Sequence, residues 1–125
     1  MMLLTKENRQ ALAAIRSTDG LDPRQTKVPV KFFTPDSNWT WYAWEAEDVP
    51  ADETMSGKPD TFFFGLVCGF EKELGTFALS ELSAAKGPLG LPIERDRHWD
   101  ASKTVFDVLK AEGMDGLAEA LVAGR

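Results

Sequence analysis

The sequence contains a single cysteine, Cys68, among its 125 residues. One thiol excludes an internal disulfide, and this usage is typical of a chain that stays in the reducing cytoplasm, which is the localisation we predict. Cys68 has no CxxC partner and ends the apolar run Thr61–Cys68. We therefore predict a buried thiol, because no adjacent histidine or lysine would activate it as a nucleophile.

Signatures of common enzymes and of membrane proteins are also missing. The chain has no P-loop, no GxGxxG or GxSxG motif and no HExxH motif. No apolar run is long enough to span a membrane, and the start at Met1–Lys6 is too short for a signal peptide. We predict no cofactor, no resident metal and no membrane association, and the sequence favours a non-enzymatic protein.

Basic residues are in deficit. The chain has 14 Lys and Arg against 20 Asp and Glu, which gives a net charge of −6 at pH 7. Phosphate-driven nucleic-acid binding needs clustered cations, so nucleic acid is not the predicted partner. An acidic surface suits docking onto a basic patch of another protein. The composition leaves the partner's identity and the oligomeric state open.

The chain is organised around residues Asp60–Glu81, two apolar runs that are separated by a glycine-flanked acidic turn. Both parities of the first run are apolar, as in a central strand that is covered on both sides. Gly69 and Gly75 bracket the turn, because glycine tolerates the backbone conformations that tight turns need. Pro35 and its polar neighbours predict a second turn, and an acidic loop precedes Asp60.

These signals predict an α+β domain, with an antiparallel sheet of about four strands in meander order and N- and C-terminal helices packed on it. The first helix is capped by Thr5, and Ser80 and Asp100 are predicted to cap later ones. The predicted elements are a helix from Thr5 to Asp19-Gly20, strands over Val28–Thr34, Trp39–Ala46, Thr61–Cys68 and Thr76–Leu79, a short helix over Glu81–Lys86, an extended segment Ile93–Trp99, and helices from Asp100 to Glu112 and over Gly116–Ala123.

Large rings are concentrated in the first predicted hairpin. Both parities of the second strand carry them, so hiding all of them requires cover from two sides, and we expect at least one ring to be exposed. Exposed Trp and Tyr concentrate the binding energy of protein interfaces, whereas buried rings would only fill the core. The cluster consists of Phe32, Phe33, Trp39, Trp41, Tyr42 and Trp44.

Two groups of charged residues are weaker candidates. Asp96, His98 and Asp100 would share one face of an extended segment and could bind a metal, although alternating charges there are also typical of solvated ion pairs. Arg95 and Arg97 could instead bind an acid on a partner or within the fold. Glu71 and Glu73 could act as an acid–base pair, but Lys72 lies between them, and a charged, solvated turn that keeps the sheet soluble is the favoured interpretation.

Three stretches together resemble a known family. They are FFTPDSNWTWY at Phe32–Tyr42, FFGLVCGFEKELGTFALSEL at Phe63–Leu82 and GPLGLPIERD at Gly87–Asp96. Their order and spacing are similar to those of the bacterial domain-of-unknown-function family 2958 (DUF2958), although its members often have an aromatic residue where Thr76 stands. The chain is thus interpreted as one domain over 1–125, with a family-like core at 1–99 and a helical extension at 100–125.

The resemblance implies a genomic setting for the protein and no particular chemical activity. Relatives occur on plasmids, integrative elements and phages, often near anti-restriction and DNA-processing genes. The family implies no catalytic residue that could be transferred to this chain. Most of the matching positions lie in turns, where they could serve shape alone.

Three hypotheses follow for the function. The first is a non-enzymatic, cytoplasmic protein-binding module of bacterial mobile elements, in counter-defence or as a DNA-processing accessory, with an acidic aromatic surface. The second is a metal-dependent enzyme or metal-binding protein using Glu94, Asp96 and His98. The third is a single-strand nucleic-acid binder that stacks bases on exposed Trp residues. The predicted partner-binding residues are Phe33, Asp36, Asn38, Trp39, Trp41, Trp44, Glu71, Arg95 and Arg97.

Overall fold

The computed structural model describes residues 2–15 and 22–124. Within these residues the strands are β1 Val30–Phe33, β2 Thr40–Val49, β3 Asp60–Cys68, β4 Lys72–Ala78 and β5 Glu94–Arg95. They form one antiparallel sheet in the order β4-β3-β2-β1-β5. The predicted α+β class and the meander of four strands are confirmed, and the short β5 is added beside β1.

The described residues also form four helices, α1 Lys6–Ala13, α2 Leu79–Ala84, α3 Val105–Ala111 and α4 Asp115–Ala123, and a short 3-10 helix over Ala51–Glu53. The predicted cap of the first helix is confirmed, because Thr5 Oγ1 accepts the Asn8 N–H at 3.0 Å and Asn8 Oδ1 accepts the Thr5 N–H at 3.0 Å. The predicted end of this helix at Asp19-Gly20 is too late, because the helix ends at Ala13 with Ala14 as its C-cap; Asp19 and Gly20 themselves lie outside the described residues.

The predicted start of α3 at Asp100 is wrong. Thr104 caps this helix in a capping box with Asp107, while the Asp100 carboxylate accepts hydrogen bonds from the N–H and hydroxyl of Ser102. Asp100 therefore closes a local turn, as Asp side chains often do. Ser80 likewise does not cap α2. It lies inside the helix and donates to the Asp60 carboxylate.

The sheet is covered on both faces, and each face has its own core. We call the face that carries Val30, Phe32, Trp41, Ala43 and Phe63 the front face; α1, α2 and the segments around Leu4 and Ile93 pack on it. We call the opposite face, which carries Tyr42, Trp44, Leu66 and Cys68, the back face; α3 and α4 pack on it through Val105, Val108, Leu109 and Ala118. Each fully buried apolar side chain contributes about 1.5–3 kcal/mol, so both layers are needed for stability.

A β-bulge follows the buried rings of β2, which alternate between the two faces. The β2–β3 register shifts between Ala43 and Glu45, which leaves Trp44 without a strand partner. The four residues from Trp41 to Trp44 are all buried. The Trp44 ring packs edge-on against Phe64, with ring centroids 6.0 Å apart. The rings of β2 are thus hidden by cover on both faces. The expectation that at least one ring of the cluster is exposed is wrong, because Phe33 and Trp39 are partly buried and the other four rings are buried.

The β3–β4 hairpin is tighter than predicted. Pairing runs continuously from Phe62↔Ala78 to Cys68↔Lys72, so the turn is only Gly69–Glu71 and the predicted strand start at Thr76 is wrong. Gly75 therefore lies within β4, where it is the partner of Gly65. Because β4 is an edge strand of the sheet, its charged first residues, Lys72 and Glu73, face solvent at little cost.

Candidate functional site

Three connections meet at one end of the sheet. The β1–β2 turn ends just before Thr40, which pairs with Cys68 at the end of β3. Cys68 also pairs with Lys72, the first residue of β4 after the β3–β4 turn. Both turns therefore lie at the same end of the sheet. The loop that follows α2 joins them, because Leu89 and Leu91 donate their backbone N–H groups to Asp36 of the first turn. All three stretches that carry the family resemblance contribute to this end.

Asp36 holds the loop after α2 in place. Its Oδ2 accepts the Leu89 N–H at 2.8 Å and the Leu91 N–H at 3.3 Å. Its Oδ1 is buried against Gly87 and has no hydrogen-bond partner in the part of the chain that the structure describes. Gly90 has a φ of +83°, which favours glycine, and closes the loop with an N–H bond to the Gly87 carbonyl. These motif residues shape the loop.

Gly87→Ala is expected to release this loop. A Cβ at position 87 would overlap Asp36 Oδ1, so the carboxylate would have to leave the Leu89 and Leu91 N–H groups. We expect a loss of about 1 kcal/mol in the free energy of unfolding and faster amide hydrogen exchange at Leu89 and Leu91. Asp36→Ala removes the same two bonds and serves as the comparison. Unchanged exchange at both amides in both variants would contradict the role given to Asp36.

Trp39 and Phe70 form the aromatic corner of this end. The Phe70 ring is 95% exposed, and it meets the partly buried Trp39 edge-on with centroids 5.3 Å apart. Trp39 lies flat over Gly69, where a Cβ would come within 2.7 Å of the indole Cε3. Because glycine has no side chain, the Trp39 indole fits against Gly69. The indole in turn contacts the Phe70 ring, which projects into solvent.

A groove of about 510 Å³ runs from this corner along the front face between β4 and α2. We call it the tryptophan groove. Its apolar part includes Trp39, Trp41 and Val67. Its acidic part is formed by Glu73 of β4 and Glu81 of α2, both exposed. Gly75 also lines it and has no side chain to narrow it.

The carboxylates around the groove are not neutralised by ion pairs. Among residues 2–15 and 22–124, Glu71, Glu73 and Glu81 take part in none of the salt bridges. The nearest cation in sequence, Lys72, points to the back face and lies 3.3 Å from Glu112. The groove therefore combines an apolar floor with a negative rim.

The structure brings some of the predicted partner-binding residues together and separates others. Phe33, Asn38 and Trp39 line a small back-face pocket of about 300 Å³, so Trp39 borders both this pocket and the groove. Arg95 donates to the Met2 carbonyl at 2.6 Å. Arg97 and Glu71 are exposed and apart from the groove floor.

Trp41 and Trp44 do not present their rings to solvent. Trp41 is 8% exposed and forms part of the groove floor, whereas Trp44 is 3% exposed and faces the back core. A partner could touch one edge of Trp41 but could not reach Trp44. Stacking of nucleic-acid bases needs free ring faces, which neither residue offers.

Phe70, Gly75 and Glu81 were missed as site residues by the sequence reasoning, and Glu73 was considered only as part of an acid–base pair with Glu71. The exposure of Phe70 could have been predicted, because an aromatic residue between glycine and glutamate in a hairpin turn lies away from the core. Glu81 and Gly75 have no such signal, since their place depends on how α2 folds back beside β4. The exposed Leu89 and Leu91 also lie at this end of the sheet.

The predicted metal site at Glu94, Asp96 and His98 is not assembled. β5 ends at Arg95, and Asp96 Oδ1 accepts the His98 N–H at 2.9 Å in a turn, so the segment is not extended beyond that point. Asp96 also lies 3.7 Å from Lys31 Nζ. Throughout the described ranges no three His, Cys, Asp or Glu side chains are grouped so that they could hold a metal ion.

The opposite end of the sheet carries a larger cleft of about 660 Å³. Its polar groups are bonded to one another: Thr61 donates to Asp48 at 2.7 Å, Arg9 lies 3.3 Å from Asp48, and Ser80 donates to Asp60. The short bond from Ser80 lowers the pKa of Asp60. Because these groups satisfy each other, this cleft offers less to a ligand than the groove does.

Cys68 is confirmed as a buried thiol. Burial, reinforced by the nearby Glu112 carboxylate, raises its pKa to about 12. Burial and a 2.7 Å hydrogen bond to Glu112 also raise the pKa of Tyr42. Neither group ionises near neutral pH, so this cluster has no activated nucleophile.

Comparison with known proteins identifies a family but no activity. A family model described as "Protein of unknown function (DUF2958)" matches residues 3–117. The match includes α3 and so runs past residue 99 into the segment interpreted as an extension. No curated protein and no solved structure matches the chain. None of the helices in the described ranges has both the length and the apolar character needed to cross a bilayer.

Proposed function

The chain belongs to the DUF2958 family, and we propose that it is a non-enzymatic protein-binding module whose site is the tryptophan groove with the adjoining Phe70. The occupant is a segment of another protein that carries apolar and basic side chains. The observation that carries this proposal is an almost fully exposed phenyl ring, supported by an indole, beside an apolar groove whose carboxylates form no salt bridge among the described residues.

The aromatic corner has the energetics of a binding hot spot. Phe70 contributes little to the core because it is almost fully exposed, yet its ring is held in place by the edge-on contact with Trp39. A preordered ring loses little conformational entropy on binding. Hot spots in protein interfaces are typically such aromatic anchors beside a pocket.

The charge of the site favours a basic partner. Glu73 and Glu81 line the groove and Glu71 follows Phe70 at the corner. Within the described part of the chain none of the three forms a salt bridge, and the whole chain carries a net charge of −6. Such a surface attracts cationic segments and accelerates their association. It also repels phosphate backbones, which favours a protein over a nucleic acid.

The resemblance supports a more specific setting for this binding. Relatives on plasmids, integrative elements and phages favour a cytoplasmic partner from host defence or from DNA processing. Proteins that handle DNA carry basic surfaces, which match the negative rim of the groove. We therefore propose a counter-defence or DNA-processing accessory role.

The proposal predicts that capture of a partner depends on the groove. The immobilised chain is incubated with bacterial lysate, and bound proteins are quantified by mass spectrometry. Phe70→Ser and Glu73→Lys are each expected to lower recovery of the specific partner at least tenfold, roughly 1.4 kcal/mol, because one removes the anchor and the other reverses a rim charge.

Matched controls lie at the other end of the same sheet. Met55→Ser removes another fully exposed apolar side chain, and Glu47→Lys makes the same charge change on β2. Both controls are expected to retain full recovery, and urea unfolding checks that all four variants are folded. Recovery that is equal for the four variants, or the absence of any specific partner, would refute the proposed function.

A further inference from the structure

The outer edge of β4 is available for another strand. β4 is the terminal strand of the sheet and extends over seven residues. No other strand of the described chain pairs with its outer side. Charged residues protect only its first part, at Lys72 and Glu73, whereas Leu74–Ala78 carries no charge. The Ala78 N–H is bonded to the Glu81 carboxylate, so the unprotected part is the stretch before it. Proteins usually blunt such edges, and an unprotected edge can take up an extended chain.

Gly75 keeps the middle of this edge open. The φ angle of Gly75 is not positive, so the backbone conformation at this position does not require glycine. A Cβ at this position would meet nothing within 4 Å, so packing does not require it either. Glycine weakens a strand, and in a strand interior it often marks a place where another backbone approaches closely. Here that place adjoins the tryptophan groove.

We propose that an extended segment of the partner protein adds to the sheet beside β4, with an apolar side chain over Gly75 in the tryptophan groove and a Lys or Arg beside Glu73. The inference rests on the proposed function and names the form of its partner. Glu73, Gly75 and Phe77 alternate onto the front face, so a paired strand presents every second side chain to the groove.

Charge complementarity decides between two possible occupants of this edge. A second copy of the chain could pair β4 with β4, but each copy carries a net charge of −6 and brings its own Glu71 and Glu73 to the contact. These charges repel one another. A basic extended segment gains from the same charges.

The test uses a random linear peptide library displayed against the full chain. Selected peptides are expected to alternate, with a basic residue two positions from an apolar one. In synthetic copies, N-methylation of the backbone amides that face β4 is expected to weaken binding at least tenfold, because it removes the strand-to-strand hydrogen bonds, whereas N-methylation at the intervening amides leaves binding intact. Binding is measured by fluorescence anisotropy.

The Gly75→Val variant tests the same idea from the side of the protein. Valine suits a strand and meets open space, so the variant is expected to unfold at the same or a higher urea concentration. It is expected to bind the selected peptides at least tenfold more weakly, because the side chain fills the approach to the groove. Protection of the β4 amides from hydrogen exchange upon peptide binding should accompany pairing.

Several outcomes would overturn the inference. The first is that the library yields no alternating basic peptide. The second is that N-methylation does not weaken binding at any position. The third is that sedimentation shows a dimer whose β4 amides are protected from exchange without peptide. If capture from lysate still depends on Phe70 and Glu73 in these cases, the groove binds its partner in another form and the proposed function survives. If peptides pair with β4 but substitution of Phe70 or Glu73 does not lower the recovery of partner from lysate, the proposed function fails.

Discussion

Gly65→Ala is expected to lose roughly 3 kcal/mol or more of the free energy of unfolding. A Cβ at position 65 would overlap the carbonyl oxygen of Tyr42 and would lie 2.8 Å from its carbonyl carbon and 3.1 Å from Ala43 Cα. These are backbone atoms of the neighbouring strand, next to the bulge at Trp44, and they cannot turn aside as a side chain could. The clash therefore forces apart β2 and β3 at the centre of the sheet.

Gly75→Ala provides the matched control, because Gly75 is the direct partner of Gly65 across β3 and β4. The same substitution there meets open space, so we expect an unchanged stability or a gain of about 0.5 kcal/mol. Urea unfolding followed by tryptophan fluorescence and circular dichroism measures both variants. Equal stabilities for the two variants would show that the β2 backbone yields at Gly65, against the packing described here.

The sheet could be predicted because its strands carry simple periodic signals. Apolar residues on both parities of β3 indicate a central strand, and the two cores on the front and back faces confirm that interpretation. The rings on both parities of β2 predicted an exposed ring, and that prediction was wrong because β2 is also covered on both faces. The bulge at Trp44 could not be predicted, because it depends on how β2 and β3 fit together rather than on either sequence alone.

The element boundaries that were wrong depend on local hydrogen bonds that compete with one another. Asp100 and Thr104 are both good helix caps, and the pairing of Thr104 with Asp107 decides between them. The charged residues from Glu71 to Glu73 suggested a turn, but an edge strand tolerates charges, and the pairing of β3 with β4 extends to Lys72. Asp96 ended β5 by forming a turn with His98.

The candidate site was less predictable than the sheet because distant segments build it. The aromatic hairpin and the importance of Trp39 were visible in the sequence, whereas the groove depends on α2 folding beside β4. The fit of Gly87 against Asp36 joins residues that are far apart in sequence. That fit gives the turn motifs of the resemblance a structural role: they set the shape of this end of the sheet, where we propose that Phe70 and the rim charges bind the partner.

Glu112→Ala is expected to cost about 2 kcal/mol of stability on the opposite face. The Glu112 carboxylate joins α3 to the sheet: Tyr42 donates to it at 2.7 Å, and Lys72 Nζ lies 3.3 Å from its other oxygen. Removal leaves the buried Tyr42 hydroxyl without its partner. Chemical unfolding at neutral pH measures the loss, and Tyr42→Phe, which removes both the donor and its need for an acceptor, should cost less.

The same contacts make this contribution depend on pH. Burial alone would raise the pKa of Glu112, but the hydrogen bonds from Tyr42 and Lys72 outweigh it and hold the pKa below its ordinary value of 4.5. The unfolded chain therefore takes up the proton more readily, so the stabilisation is present above about pH 4.5 and is lost as the pH falls through the folded pKa. Tyr42 and Cys68, which face the carboxylate, remain protonated throughout this range because their pKa values are raised.

Glu112→Gln isolates this titration from that of the other carboxylates. The amide oxygen can still accept from Tyr42, but it carries no charge for Lys72 and does not titrate. The difference in unfolding free energy between the unmodified chain and this variant is expected to be largest near neutral pH and to shrink below about pH 4.5. A difference that stays constant from pH 7 to pH 3 would mean that the Glu112 charge does not stabilise the fold, and the hydrogen bonds alone would then account for the cost of Glu112→Ala.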